Sequence, residues 1–261
     1  MKRRRVKRIH RLVVETLLAS QTMNRHFLSA CVALLVVSGQ PSWAAERSLS
    51  RISPTDGQGR LRLGLRDWMT LDARAASPPS LWYISEGVIK QTENTIVNDK
   101  KAMKADPTLE REGTMFVYQR GKEFADGELS FDVYATDDDG IGVAFRWSSP
   151  SKYYLWYMDA QRRYRTLARK DSIEYRALEA NRRGFDMRRW YAVKIVMVGP
   201  RIAVYVDGEL EFDTVDSTHE KGTVAMFCWG NSGALFREVS FVPKEPEPGA
   251  AEKTDQGSGA K

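Results

Sequence analysis

Histidine, cysteine and long apolar runs are scarce in this 261-residue chain. Beyond residue 44 the only histidine is His219 and the only cysteine is Cys228. One histidine cannot build a His-rich zinc site, and its position in a polar turn argues against a histidine-dependent nucleophilic triad. No Gly-rich phosphate loop precedes a helical pattern, so nucleotide chemistry is not indicated. One cysteine excludes an intrachain disulfide in that part of the chain, so its fold must depend on its core or on a bound ion.

Positive charge is concentrated at the N-terminus. The formal net charge is +6, but residues 1–45 contain eight basic residues and one acidic residue. The rest of the chain therefore has a net charge of −1. A nearly neutral globular part gives no long-range attraction toward nucleic acid. The sequence predicts no nucleic-acid partner.

The first 44 residues have the pattern of a secretory signal. Asn24, Arg25 and His26 form a short basic region, and residues 27–37 form an apolar run. Small residues at Ser42 and Ala44 suit cleavage after Ala44. The apolar run is shorter than the roughly 20 residues of a membrane span, although a buried strand is an alternative interpretation. We expect residues 1–44 to be a signal region, with Met23 as the true start, and the chain to be exported to a periplasm or the extracellular space.

The rest of the chain reads as one all-β domain. Residues 45–59 are polar and irregular and are predicted to be a flexible leader, and residues 244–261 are predicted to be a disordered tail. Between them, about a dozen short alternating segments recur at intervals of roughly 8–12 residues, with no long helical period. Leu61, Leu63 and Leu65 begin the series, and Asp207-Gly208 is a strong hairpin turn. Residues 60–243 are therefore predicted to form a two-sheet sandwich or jelly roll.

Several segments in order resemble a known group of domains. They are residues 81–94 (LWYISEGVIKQTEN), the acidic tip and strand at 137–146 (DDDGIGVAFR), and the final strands from Trp190 to residue 242. This pattern resembles bacterial concanavalin A-like lectin and glucanase domains related to laminin G and the thrombospondin C-terminal domain. The Gly-Val-x-Phe-Arg strand also resembles 3-keto-disaccharide hydrolase domains. The resemblance implies a jelly roll of two antiparallel sheets that binds glycan or protein, often with calcium.

Three carboxylates are candidates for hydrolysis. Glu209, Glu211 and Asp213 alternate along one predicted strand, which would place them on a single face. Retaining glycoside hydrolysis needs two carboxyl groups about 5 Å apart. The alternative is that an outer hairpin simply exposes a polar face to solvent. We assign no catalytic residue from this pattern alone.

An acidic tip is the candidate metal site. Asp137, Asp138 and Asp139 are adjacent, and calcium takes several carboxylate and carbonyl oxygens. A solvated hairpin tip before Gly140 is the competing interpretation. Calcium is the one cofactor that the sequence suggests.

An aromatic strand is the candidate ligand surface. Tyr154 and Trp156 alternate with three other large residues, so one of the two sets must face away from the core. Sugar rings stack on aromatic faces, while arginine or asparagine bonds their hydroxyls. The predicted ligand-binding residues are Arg146, Tyr154, Trp156, Arg165, Trp229 and Asn231. Alternatively, Tyr154 and Trp156 fill the space between the sheets.

These observations predict an exported binding module that recognises carbohydrate. One alternative is a hydrolase of the 3-keto-disaccharide type on the same scaffold, and another is an adhesion module that binds a cell-surface protein. The fold does not decide among them, because only the site can.

Overall fold

Short strands make up most of the chain that the computed structural model describes, residues 55–172 and 174–244. The strands are β1 (Trp68–Asp72), β2 (Ala76–Ser77), β3 (Trp82–Ser85), β4 (Val88–Gln91), β5 (Ile96–Val97), β6 (Thr114–Tyr118), β7 (Gly127–Ala135), β8 (Gly140–Ser149), β9 (Lys152–Asp159), β10 (Tyr164–Asp171), β11 (Glu174–Asn181), β12 (Tyr191–Val198), β13 (Arg201–Val206), β14 (Glu209–Val215), β15 (Thr223–Trp229) and β16 (Ala234–Pro243). One short helix, α1 (Lys100–Ala105), and two 3-10 turns, Leu65–Asp67 and Pro107–Arg111, complete the described elements.

Two seven-stranded antiparallel sheets form the sandwich. Sheet I has the order β1-β6-β15-β8-β9-β10-β11, and sheet II has the order β14-β13-β12-β7-β16-β4-β3. Strands that are distant in sequence, such as β6 and β15, lie side by side. The predicted all-β jelly roll of two antiparallel sheets is confirmed.

The core lies between the inner faces of the two sheets. In β7, Leu129, Phe131 and Val133 are buried and alternate with half-buried polar residues. Opposite them, β8 and β9 contribute further large apolar residues, including Phe145 and Trp156. Each such side chain contributes roughly 1.5–3 kcal/mol by leaving water. The period-2 pattern therefore fixes which face of each strand points inward.

The beginning of the domain differs from its predicted form. Leu61 bridges to Thr55 and donates its backbone N–H to the carbonyl oxygen of Val239 in β16, and residues 65–67 form a 3-10 turn rather than a strand. The first strand is β1, which pairs with β6 from Trp68 to Asp72. Alternating leucines were a misleading signal because, in the described part of the chain, this segment meets β16 only through isolated backbone contacts at residues 60 and 61. Leu63 instead packs at the margin of the core.

The charged segment at 98–112 contains helix α1 and the second 3-10 turn. The Asp99 carboxylate caps α1 by accepting hydrogen bonds from the backbone N–H groups of Lys101 and Ala102, at 2.9 and 3.0 Å. The following turn buries Leu109, which is 2% exposed. Lys170 of sheet I donates to Thr108 of this turn at 3.0 Å. The segment therefore lies across the outer face of sheet I.

Part of the predicted organisation lies outside the described residues. This applies to the signal region 1–44, to residues 45–54 of the leader and to residues 245–261 of the tail. The last leader residues form a turn in which Asp56 accepts hydrogen bonds from the N–H groups of Gln58 and Arg60. Within residues 55–172 and 174–244, no helix is long and apolar enough to cross a membrane.

Candidate functional site

The outer face of sheet I contains a depression. Gly142 of β8 lies directly between Tyr157 of β9 and Phe227 of β15. A Cβ atom at Gly142 would lie 2.1 Å from the carbonyl oxygen of Trp156, so the strands can approach only at glycine. Ala144 occupies the next outward position on β8. Small residues at the centre and aromatic rings at the sides thus shape this face.

The segment at 98–112 crosses this face and separates two cavities. The smaller one, called the Tyr157 cleft, has a volume of about 250 Å³. The larger one, called the Lys170 cleft, has a volume of about 580 Å³. The polar and aromatic residues that line the Tyr157 cleft include Glu110, Tyr157, Asp159, Arg162, Tyr164 and Trp229.

Two tyrosines provide neutral hydroxyl groups in the Tyr157 cleft. The hydroxyls of Tyr157 and Tyr164 are 3.1 Å apart, and their rings meet edge to face with centroids 5.5 Å apart. Burial raises the pKa of Tyr157 and the pKa of Tyr164 well above the ordinary tyrosine value. Both side chains are therefore protonated at neutral pH, and they can donate hydrogen bonds but cannot act as bases.

A fixed ion pair lies beside them. The carboxylate of Asp159 is 1% exposed and accepts hydrogen bonds from the backbone N–H and from Nη1 of Arg162, at 2.6 and 3.0 Å. The Arg162 guanidinium also lies 4.3 Å from the centre of the Trp229 ring. The cleft therefore combines an aromatic ring with a guanidinium and a carboxylate whose orientations are set by the protein.

The Lys170 cleft contains a buried ammonium. Lys170 is 4% exposed, forms an ion pair with Glu112 and donates to Thr108. Burial lowers the pKa of Lys170, and the negative charge of Asp106 opposes that effect. A buried lysine of this kind can exchange a proton more readily than an exposed one.

The acidic tip brings three carboxylates together, as its sequence suggested. Oxygens of Asp137, Asp138 and Asp139 lie within 4.8 Å of one another. Asp137 accepts hydrogen bonds from the backbone N–H and the hydroxyl of Ser232, at 2.9 and 2.6 Å. Although burial opposes it, this hydrogen bonding holds the pKa of Asp137 below its usual value. Asp139 accepts from Arg162 at 3.0 Å.

Internal hydrogen bonds hold the backbone of the acidic tip. Asn231 is fully buried and donates to the carbonyl oxygens of Asp137 and Asp139, at 3.1 and 2.9 Å. The carbonyl of Asp138 accepts from the backbone N–H groups of Ala160 and Gln161. Protein donors already occupy the carbonyl oxygens of the tip, so a hard cation, which needs several oxygens, would depend on the three carboxylates. The predicted ligand-binding role of Asn231 is wrong, since its amide holds the tip in place.

The predicted aromatic platform is also wrong. Tyr154 and Trp156 are 0% exposed and lie between the two sheets. The Tyr154 hydroxyl donates to Asp216 at 2.6 Å, and the Trp156 indole N–H donates to Glu211 at 3.4 Å. The three residues that alternate with them face outward, but they are buried too, because segment 98–112 covers that face. Sheet I is therefore covered on both sides at β9.

The two predicted arginines lie apart from the Tyr157 cleft. Arg146 is 2% exposed and donates to the carbonyl oxygens of His219 and Gly199, at 3.0 and 2.9 Å. It lines another cavity, of about 720 Å³, at one end of the sandwich. Arg165 donates to Glu211 at 3.0 Å. Of the six predicted ligand-binding residues, only Trp229 lines the Tyr157 cleft.

The three candidate carboxylates of β14 do not converge. The pairing of β13 with β14 shifts register so that Glu211 becomes an extra, bulged residue. Its side chain is 3% exposed and pairs with Arg165, whereas Asp213 pairs with Arg201 at the surface. Glu209 is exposed. The bulge breaks the alternation on which the shared face depended, so that prediction is wrong.

Sequence reasoning missed Glu110, Asp159, Arg162, Tyr164 and Lys170 as components of these clefts. A usable signal was present in Gly140 and Gly142, because glycine inside a strand often marks a close approach of backbone or ligand. The covering segment could not be placed, since its contacts with sheet I join residues about sixty positions apart.

Solved structures support the fold of the domain. The carbohydrate-binding module CBM66 from Bacillus subtilis is 15% identical with a TM-score of 0.53, and the match covers 67% of this chain and 94% of that one. A Bacillus subtilis protein of unknown function with a galectin-like fold is 12% identical with a TM-score of 0.50, covering 71% and 94%.

At the level of sequence, no protein of curated function matches this chain significantly. The profile of one domain family, however, extends over nearly all of the described sandwich. It matches residues 63–242, from the end of the leader to the last residues of β16. This chain therefore belongs to the family of 3-keto-alpha-glucoside-1,2-lyase-like domains.

Proposed function

We propose that this protein recognises a carbohydrate in the Tyr157 cleft. The observation that carries the proposal is the presence of Trp229 and Tyr164 beside the fixed Asp159–Arg162 pair in one cavity. Aromatic rings can stack against the apolar C–H faces of a sugar. Carboxylates and guanidinium groups can bond its hydroxyls, and few convergent polar groups are enough to orient a small ligand.

Two further observations support a sugar ligand. The hydroxyls of Tyr157 and Tyr164 remain protonated, and since one donates to the other, one proton is left as a neutral donor beside the charged pair. Glu110 lines the opposite wall, on the 3-10 turn that crosses the sheet. A cavity of about 250 Å³ suits one sugar ring rather than a long chain.

The proposal is tested by calorimetric titration with neutral mono- and disaccharides, including 3-keto-glucosides. Trp229→Ala should weaken binding at least about tenfold, which corresponds to roughly 1.4 kcal/mol. Tyr83→Ala is the matched control, because Tyr83 is an exposed ring on sheet II beside Lys90. Equal loss of affinity in both variants, or no binding by the unaltered protein, would contradict the proposal.

A second candidate is an enzyme that acts on 3-keto-glucosides. Family membership favours it, and so does the buried Lys170, whose lowered pKa suits proton transfer. In such an elimination a base removes the proton on C2, which the neighbouring C3 carbonyl makes acidic. The C1–O bond then breaks and the leaving oxygen takes up a proton.

Product release from a 3-keto-disaccharide measures this activity. Lys170→Met should abolish it, while Lys100→Met, at an exposed position of α1, should not change it. Melting temperatures of both variants separate loss of chemistry from loss of folding. If the unaltered protein releases no product while it still binds sugar, recognition alone is its function.

We also propose that the chain is exported, on the basis of the signal pattern in residues 23–44. Expression in a bacterial host should give an extracytoplasmic protein whose first residue is Ala45. A cytoplasmic protein that still contains residues 1–44 would contradict the proposed export. Binding to a cell-surface protein stays a prediction.

A further inference from the structure

A separate cavity of about 360 Å³ lies between the turn joining β9 to β10 and the loop joining β11 to β12. We call it the arginine cavity. Six of its lining residues carry the argument: Arg163, Arg165, Gly184, Asp186, Arg189 and Tyr191. It shares no lining residue with the Tyr157 cleft. Three arginines line it against one carboxylate, that of Asp186, which is 83% exposed.

Arg165 is a fixed donor in this cavity. The residue is 9% exposed, its Nε donates to the carbonyl oxygen of Gly184 at 2.9 Å, and its Nη1 donates to Glu211 at 3.0 Å. Among the described residues, Nη2 has no hydrogen-bond partner. A guanidinium held on two sides thus keeps one nitrogen free for a ligand.

The acid that holds Arg165 is itself immobilised. Glu211 also accepts hydrogen bonds from Asn181 at 3.2 Å and from the indole of Trp156 at 3.4 Å. The bulge in β14 points this carboxylate inward. Arg165 is therefore pre-oriented before any ligand arrives, which lowers the entropy cost of binding.

An aromatic ring and a second guanidinium lie next to Arg165. The guanidinium carbons of Arg165 and Arg189 lie 5.4 and 4.4 Å from the centre of the Tyr191 ring. The Tyr191 hydroxyl accepts a hydrogen bond from the backbone N–H of Asp186 at 2.7 Å, which fixes the ring. Arg189 pairs with Asp207 at 2.6 Å.

Arginines without an ion pair among the described residues lie at the β9–β10 turn and along the β11–β12 loop. Arg163 is exposed at the β9–β10 turn and has no ion pair within the described part of the chain. Arg182, Arg183 and Arg188 of the facing loop likewise show no carboxylate partner in residues 55–172 and 174–244. The loop lies close to the turn, since a Cβ atom at Gly184 would be 3.4 Å from the Cα atom of Arg163.

We propose that the arginine cavity binds an acidic saccharide through its carboxylate or sulfate group. Guanidinium groups match the planar geometry of such oxyanions and bind them in charge-assisted pairs. A cavity of about 360 Å³ exceeds the size of a free ion and accepts a sugar ring beside Tyr191. This site goes beyond the proposed recognition of a neutral sugar, and it does not depend on it.

The test is a titration of the full chain with a glucuronic-acid disaccharide, the matching neutral glucose disaccharide and sodium sulfate. The acidic disaccharide should bind, and its affinity should fall as salt rises. Arg163→Gln should weaken that binding about fivefold, the scale of one partly exposed ion pair. Arg201→Gln, at an exposed arginine that pairs with Asp213 elsewhere, should leave it unchanged.

Separate outcomes distinguish the two sites. Trp229→Ala should leave binding of the acidic disaccharide intact, and Arg163→Gln should leave binding of the neutral disaccharide intact. Equal affinity for the acidic and neutral disaccharides would overturn the proposal. The proposal would also be overturned if sulfate bound as tightly as the acidic disaccharide, or if Arg163→Gln left the affinity for that disaccharide unchanged.

Discussion

The hydroxyl of Tyr154 joins sheet I to the loop between β14 and β15. It donates to the carboxylate of Asp216 at 2.6 Å and accepts from the backbone N–H of His219 at 3.1 Å. Burial raises the pKa of Tyr154 to about 12, so the hydroxyl keeps its proton at neutral pH. At the scale of one residue, Tyr154, which the sequence suggested as part of a ligand platform, instead links two parts of the core through hydrogen bonds.

Removal of this hydroxyl should destabilise the fold without changing sugar binding. Tyr154→Phe leaves the buried N–H of His219 without its partner, and the expected loss is about 1–2 kcal/mol in the free energy of unfolding. Urea denaturation measures the loss. Tyr83→Phe is the control, because the Tyr83 ring is exposed and the substitution should change stability by less than about 0.5 kcal/mol. A weaker affinity for sugar in Tyr154→Phe, at a temperature where the variant stays folded, would contradict a purely structural role for this hydroxyl.

The ionisation of Asp216 should make part of the free energy of unfolding depend on pH in the acid range. Although burial opposes it, hydrogen bonds from Thr218 and Tyr154 and the charge of Arg169 hold the pKa of Asp216 below its usual 3.8. The stabilisation that the Asp216 carboxylate contributes is therefore fully present at pH values above its pKa in the unfolded state. It disappears as the pH falls through the pKa of Asp216 in the folded state. Asp216→Asn should reduce the free energy of unfolding at pH 7, and the difference from the unaltered protein should shrink below pH 3.8. A difference that is constant from pH 7 to pH 2 would contradict this assignment.

At the scale of elements, β8 shows why one strand contains two outward glycines. Gly142 lets β9 and β15 approach on either side and leaves room between the aromatic rings of the outer face. A methyl group at this position would collide with backbone atoms of Trp156 and Tyr157, which cannot move aside as a flexible side chain can.

Gly142→Ala should therefore destabilise the protein by at least about 2 kcal/mol through overpacking. Thermal denaturation followed by circular dichroism measures the effect. Gly57→Ala is the matched control, since no atom lies within 4 Å of its added Cβ. If Gly142→Ala and Gly57→Ala had similar melting temperatures, β8 and its neighbouring strands would be able to move apart without loss of stability, contrary to this prediction.

Strands with one buried face were predictable from their alternation. β7 follows the period-2 pattern along its length, whereas β8 follows it only as far as Phe145 and is buried on both faces. The Asp207-Gly208 turn forms the expected hairpin with positive φ values of 53° and 83°. The bulge at Glu211 was not predictable, because it depends on the partner strand rather than on the sequence of β14. The position of segment 98–112 over the outer face of sheet I likewise depends on contacts with residues distant in sequence. Neither this cover nor most of the candidate site could therefore be predicted from the sequence.

At the scale of the whole molecule, the sandwich buries both faces of sheet I at β9. Sheet II covers the inner side, and the turn containing Leu109 covers the outer side. Two apolar clusters result, one between the sheets and one on the outer face. Stability is thus distributed over extensive apolar burial, which a domain without a disulfide requires.

This architecture leads to a prediction about metal dependence. Hydrogen bonds from Ser232, Asn231 and Arg162 already hold the acidic tip in place, so folding should not require calcium. A site occupied at 100 times its dissociation constant would add about 2.7 kcal/mol, enough to raise the melting temperature by roughly 5–10 °C. We expect the same melting temperature in millimolar calcium and in a chelator. Asp137→Asn should lower that temperature equally in both conditions, because it weakens the bonds to Ser232 rather than an ion site. A calcium-dependent rise in the unaltered protein that Asp137→Asn removes would show that the tip releases its internal donors to bind the ion.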